Sequence, residues 1–322
     1  MKVNILDSGI YEFIDLCQKE NINSIDVEQL LKNESYNSMI QLMGQNWGIG
    51  LHESWKTIFM CAFNQNYDQK ISNIQSMYVN HLKNAIHSLT NLKKLVSRIK
   101  SIIESNDFFT IVNQYAYTDK LETLNIHLLI FGPNAGGNQD IILDILFLEP
   151  LTDNEISRII AHELHHIIRS KYEINYYSNH EEILQMAFWL ESEGCANLCN
   201  YESSIKFYEL YGYVKKDVMI QNLNNIKNSI NQINDLIMNN YLGHDKHHEL
   251  YNFLATDLLF HTLGYFMAKT IYEVSASTLK DTVGNPLKFI NVYQNICKNK
   301  NIGYPLKDET INILNKTLSR NN

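Results

Sequence analysis

The chain is short of proline, of cysteine and of positive charge, and each shortage excludes a class of protein. Four of its 322 residues are proline and the first is Pro133, so the region before it can form long helices. Its five cysteines are odd in number and unpatterned, which argues against a disulfide framework and fits reduced thiols in the cytoplasm. The net charge of −8 leaves no basic face for nucleic acid, so we expect no nucleic-acid partner.

Long apolar stretches are missing as well. No window of about 18 apolar residues occurs, and the first residues lack the apolar segment of a signal peptide. We therefore expect no membrane span, no secretion signal and a cytoplasmic location. The hydrophobic content of 45% is nevertheless ample for a large core, and the length allows one or two domains.

Apolar residues recur every three to four positions along much of the chain. This spacing predicts one long amphipathic helix from Asp68 to about Ser105 and a second apolar helical seam from Met219 to Ile237. The two best strand candidates are Leu124–Phe131 and Ile141–Leu148. Between them, Gly132–Asn138 is a glycine-rich loop. We interpret its glycines as those of a hairpin turn, because the Gly-Lys-Ser/Thr of a phosphate-binding loop does not follow.

The most informative pattern is His-Glu-x-x-His, formed by His162, Glu163 and His166. Positions i and i+4 of a helix lie one turn apart on the same face, so the two imidazoles can converge on one ion. Two histidines at this spacing suit Zn²⁺, and the glutamate between them lies where it can accept a proton. The pattern predicts a metal-dependent hydrolase with zinc as cofactor.

Two further patterns predict a helix around this motif, over residues 152–170. Thr152 and Glu155 form a capping-box pattern at its start. The side away from the metal carries an apolar stripe that gives the helix a core to pack on: Ile156, Ile160, Leu164 and Ile167. His165 falls on a polar sector with Arg169, so we expect a surface or second-sphere histidine that does not bind the metal.

A catalytic zinc takes three protein ligands and keeps one position open. A second helix, over residues 181–200, carries two candidates for the third ligand, Glu191 and Glu193. Because they are two residues apart, they point to nearly opposite sides of a helix and cannot both face the metal. The residue pattern alone leaves both candidates open.

The segment Glu193-Gly194-Cys195-Ala196 resembles the Glu-Gly-x-Ala element that follows the zinc helix in gluzincin metallopeptidases. Together with His162-Glu-Leu-His-His166, it is most similar to zinc-dependent proteases grouped as the domain of unknown function numbered 2268 and its relatives. The resemblance covers about Leu124 to Tyr272, and the gap between His166 and Glu193 is longer than in the best-known gluzincins. It implies that Glu193 is the third ligand.

Three further residues have expected roles in such a site. Gly264-Tyr265 resembles a Gly-Tyr element downstream of the zinc motifs in related proteases, so Tyr265 is the first candidate to stabilise the oxyanion. His261, one helical turn earlier, is the second candidate. Asn197, one turn after Glu193, can accept the free N–H of a ligand histidine.

These observations predict a predominantly helical α+β protein with a small sheet before the active-site helix. Residues 1–107 are expected to form an N-terminal helical region packed on a gluzincin-like zinc peptidase domain, residues 108–322. Glu163 is the expected general base, and a free strand edge beside the zinc would favour a peptide or protein substrate. The alternatives are a zinc hydrolase with a non-peptide substrate and an inactive binding protein on the same fold.

One more group of histidines lies in Leu242–Glu249, which contains His244, His247 and His248. We interpret it as a loop, with a second metal site as the lesser alternative. The oligomeric state does not follow from the sequence.

Overall fold

The computed structural model describes residues 2–47, 50–64, 71–210, 212–244 and 248–320. Strands are few and short: β1 (Lys2–Leu6), β2 (Thr123–Leu129), β3 (Ala135–Gly137), β4 (Ile141–Asp144), β5 (Tyr176–Tyr177) and β6 (Ser319–Arg320). Helices make up most of the rest: α1 (Ser8–Cys17), α2 (Ser24–Leu31), α3 (Glu34–Trp47), α4 (His52–Phe63), α5 (Asn73–His87), α6 (Leu89–Ser105), α7 (Asp107–Val112), α8 (Ile145–Leu148), α9 (Asp153–Tyr172), α10 (Glu181–Leu210), α11 (Lys216–Asn224), α12 (Ile226–Tyr241), α13 (Glu249–Ala255), α14 (Leu259–Val274), α15 (Ala276–Lys280), α16 (Pro286–Lys300) and α17 (Asp308–Thr317). The predominantly helical α+β class is confirmed.

The larger sheet has the strand order β1-β2-β4-β3. The first strand pairs in parallel with β2, and β2 pairs in parallel with β4. The short β3 is antiparallel to β4 and lies at the end of the sheet, and among the described residues no further strand pairs with its outer edge. The N-terminal region therefore begins with a strand that the sequence pattern did not predict.

The predicted strand Ile141–Leu148 is wrong in its second half. The strand stops at Asp144, and the next four residues form α8. Asp144 ends the strand because its carboxylate accepts the backbone N–H of Phe147 at 2.9 Å and so caps the helix. The same buried carboxylate accepts the N–H of Gly132 at 2.9 Å and contacts His81 Nε2 at 2.9 Å.

The glycine-rich loop is not a simple hairpin turn between the two predicted strands. A hairpin turn cannot join β2 to β4, because these two strands are parallel. Instead, residues 135–137 form β3, which folds back on β4 with Gly136 opposite Ile142. The hairpin thus lies between β3 and β4.

By their contacts, the residues divide into two compact units. The first comprises Met1–Asp107 and Leu121–Glu163 and contains the four-stranded sheet. In its core, the Trp55 ring lies 5.3 Å from Tyr78 and 6.4 Å from Phe131. The predicted N-terminal helical region, residues 1–107, belongs to this unit, and its status as a separate domain remains a proposal.

The second unit comprises Phe108–Lys120 and Leu164–Asn322 and is mainly helical. Its largest apolar cluster joins α10 with α14 and α16 through buried side chains that include Met186, Leu190, Leu263, Met267 and Phe289. Among the described residues, no helix is both long enough and apolar enough to span a bilayer.

The long helix predicted from Asp68 to Ser105 is two helices. They are α5 and α6, and the chain breaks at Ser88, whose backbone has φ −116° and ψ 23°. Residues 68–70 lie outside the described residues. The seam from Met219 to Ile237 is likewise divided, into α11 and α12 at Asn225. The apolar periodicity continues across both breaks because each helix of a pair is amphipathic and buries its apolar face.

Candidate metal centre

His162 and His166 lie one turn apart on α9, the segment predicted as helix 152–170. The reciprocal capping bonds are present at its start: Glu155 N–H donates to Thr152 Oγ1 at 3.3 Å, and Thr152 N–H donates to Glu155 Oε2 at 2.7 Å. The apolar stripe expected opposite the metal face is fully buried at Ile156, Ile160, Leu164 and Ile167. A capped and packed helix therefore holds the two imidazoles in place.

Glu193 joins the two histidines from α10, which begins at Glu181 as predicted but continues to Leu210. One ligand atom from each of His162, His166 and Glu193 lies within 4.8 Å of the others. Two ligand atoms on one tetrahedral zinc are separated by roughly 3.4 Å, given bond lengths of about 2.1 Å. His166 Nε2 and Glu193 Oε1 are 3.6 Å apart, so these residues fit a zinc ion with little movement.

The alternative ligand Glu191 is engaged elsewhere. Its Oε2 lies 2.6 Å from Nε of Arg169, and its Oε1 accepts the backbone N–H of Gly284 at 2.9 Å. Both side chains of this ion pair are almost fully buried. The structure therefore brings Glu193, and not Glu191, to the histidines.

The surroundings of Glu193 change the pKa of its carboxyl group when no metal is bound. Burial raises the pKa of its carboxyl to about 7, while the positive charge of Arg169 acts in the opposite direction. A carboxylate that loses hydration on burial is stabilised when a cation binds next to it. The donor set of two imidazoles and one half-buried carboxylate is thus suited to a divalent ion.

Ser192 is a contact that the sequence interpretation missed. Its Oγ lies 3.2 Å from Nδ1 of His166, while Nε2 of the same ring faces Glu193. If the metal takes Nε2, Nδ1–H donates to the serine, which fixes the tautomer and the orientation of the ring. The available signal was its position directly before Glu193.

Asn197 does not orient a ligand histidine, so that expectation is wrong. Its Nδ2 donates to Nδ1 of His261 at 2.9 Å, and it makes a longer contact of 3.5 Å with the His261 carbonyl. His261 is buried, with Nδ1 3.4 Å from Glu193 Oε2 and Nε2 3.4 Å from the Tyr208 hydroxyl. His261 therefore lies next to the proposed third ligand, held by contacts on both ring nitrogens.

Tyr265 lies one turn after His261 on α14. Its half-buried ring stacks face to face on Tyr201, with centroids 3.9 Å apart and planes 2° apart. Its role at an oxyanion remains a prediction. The stack holds the Tyr265 ring in one plane, as a hydrogen-bond donor in a preorganised site requires.

His165 is not a surface residue, and the sector of α9 that it shares with Arg169 is not exposed to solvent. The histidine is 0% exposed and Arg169 is 3% exposed. Several faces of α9 are buried, and Arg169 is accommodated because Glu191 and Glu173 neutralise it. His165 does not belong to the three-residue ligand cluster.

Glu163, the expected base, is half-buried on α9 and lies against the sheet edge. A Cβ placed on Gly137 would be 2.3 Å from the carbonyl oxygen of Glu163. The backbone of β3 therefore runs directly beside the backbone of the metal helix, an approach that only glycine permits. This contact places β3, the last strand in the order of the described sheet, next to the backbone of the candidate base.

The alternative of a second metal site at 242–249 includes residues 245–247, which lie outside the described residues. His248 pairs with Glu182. Within the described ranges, His162, His166 and Glu193 are the only group with metal-ligand geometry.

Comparison with known proteins agrees with this chemistry. Neither curated proteins nor solved structures give a significant match to the chain. Residues 27–302 match the sequence model of a family described as "Putative zinc dependent peptidase (DUF5700)". Its number differs from that of the group, 2268, suggested by the motifs, and the gluzincin assignment remains a proposal. Since the match spans most of the sequence, this chain belongs to the family of that description, the domain of unknown function numbered 5700.

Proposed function

We propose that this protein is a zinc metallopeptidase that hydrolyses peptide bonds, with zinc bound by His162, His166 and Glu193. The observation that carries the proposal is the convergence of these three side chains, whose ligand atoms lie within 4.8 Å of one another. Two imidazoles and one carboxylate form the His₂Glu set of catalytic zinc sites, which keep a position open. Membership of a zinc-dependent peptidase family supports the same assignment.

Glu163 is proposed as the general base. Zinc in this site would supply Lewis acidity that polarises the substrate carbonyl and lowers the pKa of water. Glu163 follows His162 directly on α9, and we expect its carboxyl to lie beside the site and to take a proton from the attacking water. It can then deliver that proton to the leaving amine.

The edge of β3 is the proposed binding place for the substrate backbone. A peptide in extended conformation can pair with an uncovered strand edge through main-chain hydrogen bonds. Because Gly137 of β3 lies against the Glu163 backbone, a peptide paired there would pass the candidate base. This geometry favours a peptide over other hydrolysable substrates.

Tyr265 is the proposed donor to the oxyanion that develops on the substrate carbonyl, with His261 as second candidate. His261 also lies next to the proposed ligand, since its Nδ1 is 3.4 Å from Glu193 Oε2. The His-Glu-x-x-His helix with a glutamate from the following helix is the gluzincin arrangement. We therefore propose that residues 108–322 form a gluzincin-like domain.

Metal analysis combined with a peptide-library digest tests this function. Zinc-loaded wild type should cleave peptides, and Glu163→Gln should retain one zinc per chain without measurable cleavage, because only the base is removed. Cleavage by the variant at the wild-type rate would refute the mechanism. A wild type that binds no zinc would refute the metal site.

A further inference from the structure

Three aromatic rings from three helices lie in sequence beside the metal centre. The rings of Tyr251 on α13 and Trp189 on α10 have centroids 5.1 Å apart. Trp189 in turn stacks on Phe260 of α14, with centroids 4.8 Å apart and planes 27° apart. These three residues are called the aromatic row below.

The row begins at the proposed third ligand. Trp189 lies one turn before Glu193 on the same face of α10. At the other helix, the Phe260 ring lies 4.4 Å from the ring of His261, and His261 Nδ1 is 3.4 Å from Glu193 Oε2. Ring contacts are therefore continuous from the surface residue Tyr251 to the immediate partner of the metal ligand.

The protein core does not bury the three rings completely. Tyr251 is 44% exposed, and Trp189 and Phe260 are half-buried, whereas the aromatic core residues Trp55 and Phe289 are completely buried. Exposed aromatic surface next to a reactive site is stabilised when an apolar ligand covers it. The row thus offers apolar area where a substrate side chain would lie.

We propose that the aromatic row is a specificity subsite for a large apolar or aromatic side chain of the peptide, within two residues of the scissile bond. This inference rests on the proposed peptidase function. Same-side side chains of an extended peptide are about 7 Å apart, so a row of rings about 5 Å apart accommodates one or two of them. Offset and edge contacts between rings add to the area buried.

Charge at the outer end of the row disfavours an acidic occupant. There the Glu182 carboxylate accepts the backbone N–H of Tyr251 at 3.3 Å. A substrate aspartate or glutamate would lose hydration against the rings and face this carboxylate. The subsite should therefore discriminate against acidic side chains.

Matched peptides test the preference in zinc-loaded wild type. Phe, Ala or Glu is placed in turn at each of the two positions on either side of the scissile bond. At one position, kcat/KM should be roughly 10- to 100-fold higher with Phe than with Ala, and lowest with Glu. Equal kcat/KM values for Phe and Ala at every position would overturn the inference.

Substitutions in the aromatic row test whether these residues cause the preference for Phe over Ala. Tyr251→Ser and Trp189→Leu should each reduce the Phe-to-Ala ratio at least about fivefold through KM, because the Phe peptide loses more contact with the row than the Ala peptide does. Tyr11→Ser, which changes an equally exposed tyrosine of the first unit, is the matched control and should keep the ratio. An equal loss for both peptides would contradict a specificity role.

A binding measurement separates failure of this inference from failure of the proposed function. If no peptide is cleaved, the peptidase proposal fails. Fluorescence anisotropy with zinc-loaded Glu163→Gln then still compares labelled Phe and Ala peptides. A lower Kd for the Phe peptide that is lost in Glu163→Gln/Trp189→Leu supports the subsite, and identical Kd values overturn it.

Discussion

Gly194 and Gly264 lie backbone to backbone where α10 contacts α14. A Cβ on Gly194 would be 2.5 Å from the carbonyl carbon and oxygen of Gly264, and a Cβ on Gly264 would be 2.6 Å from the carbonyl oxygen of Leu190. Each glycine adjoins a candidate site residue, Glu193 in one helix and Tyr265 in the other. The Glu-Gly and Gly-Tyr elements singled out in the sequence thus meet at one helix contact.

Gly194→Ala should weaken both the fold and the metal site. The added methyl meets backbone atoms that cannot turn aside, so the helices must separate at a cost of about 1–3 kcal/mol or more. Because Glu193 is the adjacent residue, zinc affinity should fall by roughly tenfold, the effect of losing a ligand's supporting contact. Calorimetry and zinc titration against a competing chelator measure the two effects.

Gly9→Ala is the matched control for that substitution. Gly9 is also helical, but a Cβ there would meet a methyl carbon of Leu129, the flexible end of a side chain. Its zinc affinity should equal that of wild type. If Gly194→Ala has the same zinc Kd as Gly9→Ala, the contact does not position the ligand.

The two carboxylates of α10 should respond differently to neutral, isosteric replacement. Glu193→Gln should abolish tight zinc binding with little loss of stability in the metal-free state. Glu191→Gln removes the buried counter-ion of Arg169 and leaves only the partly exposed Glu173, which costs up to about 3–5 kcal/mol, but it keeps the ligand. Zinc per chain is measured at a temperature at which both variants show native circular dichroism. Equal zinc loss in both, or loss only in Glu191→Gln, would refute Glu193 as ligand.

The buried pair of Arg169 and Glu191 should show strong coupling in a double-mutant cycle. Nε of Arg169 lies 2.6 Å from Oε2 of Glu191, and Gly284 supplies a further hydrogen bond. Arg169→Met leaves the Glu191 charge buried alone, and Glu191→Leu leaves Arg169 with only the partly exposed Glu173. The double variant Arg169→Met/Glu191→Leu removes both buried charges and should be nearly as stable as wild type. Denaturant unfolding should give a coupling energy of about 2–5 kcal/mol. Additive losses would show that the pair does not act as a unit.

Residues near the metal helix were the most predictable part of the molecule. The start of α9 follows from Thr152 and Glu155, and its buried stripe follows from apolar spacing, because both signals are local. Spacing alone could not choose between Glu191 and Glu193. That choice depends on Arg169 and Gly284, which are far from Glu191 in sequence and contact it only in the fold.

Other features escaped for similar reasons. The partner of β1 is β2, with Lys2 opposite Thr123, so no local pattern reveals the strand. Residues 145–148 are apolar enough for a strand, but the Asp144 cap makes them helical. His165 was misplaced because helical periodicity predicts one buried face, whereas α9 is surrounded on several sides.

Ser192→Ala should lower zinc affinity without loss of the fold. The variant removes the acceptor that lies 3.2 Å from His166 Nδ1, which frees the ring to rotate. Loss of such a partner costs about 10- to 100-fold in metal affinity. Ser204→Ala, at another buried serine of α10, is the control and should bind zinc like wild type. Indistinguishable zinc Kd values for the two variants would contradict an orienting role for Ser192.

Gly137→Ala should separate substrate binding from metal binding. The new methyl would lie 2.3 Å from the Glu163 carbonyl oxygen, so β3 must move away from α9. A displacement of about 1 Å can lower kcat/KM by roughly 100-fold when a peptide is held by that edge. Zinc content should stay at one per chain, because the three atoms nearest to the added methyl all belong to the backbone of Glu163.

Gly136→Ala provides a control on the same strand. Its Cβ would point to the other face and meet only a methyl carbon of Leu42, at 2.5 Å, which a rotation of that side chain can relieve. Its kcat/KM for peptides should therefore remain within about threefold of wild type, since β3 keeps its distance from α9. Equal losses of kcat/KM in both variants would indicate general damage to the hairpin. A fall in zinc content that parallels the fall in activity of Gly137→Ala would refute the strand edge as the substrate site, because the substitution would then act through the metal.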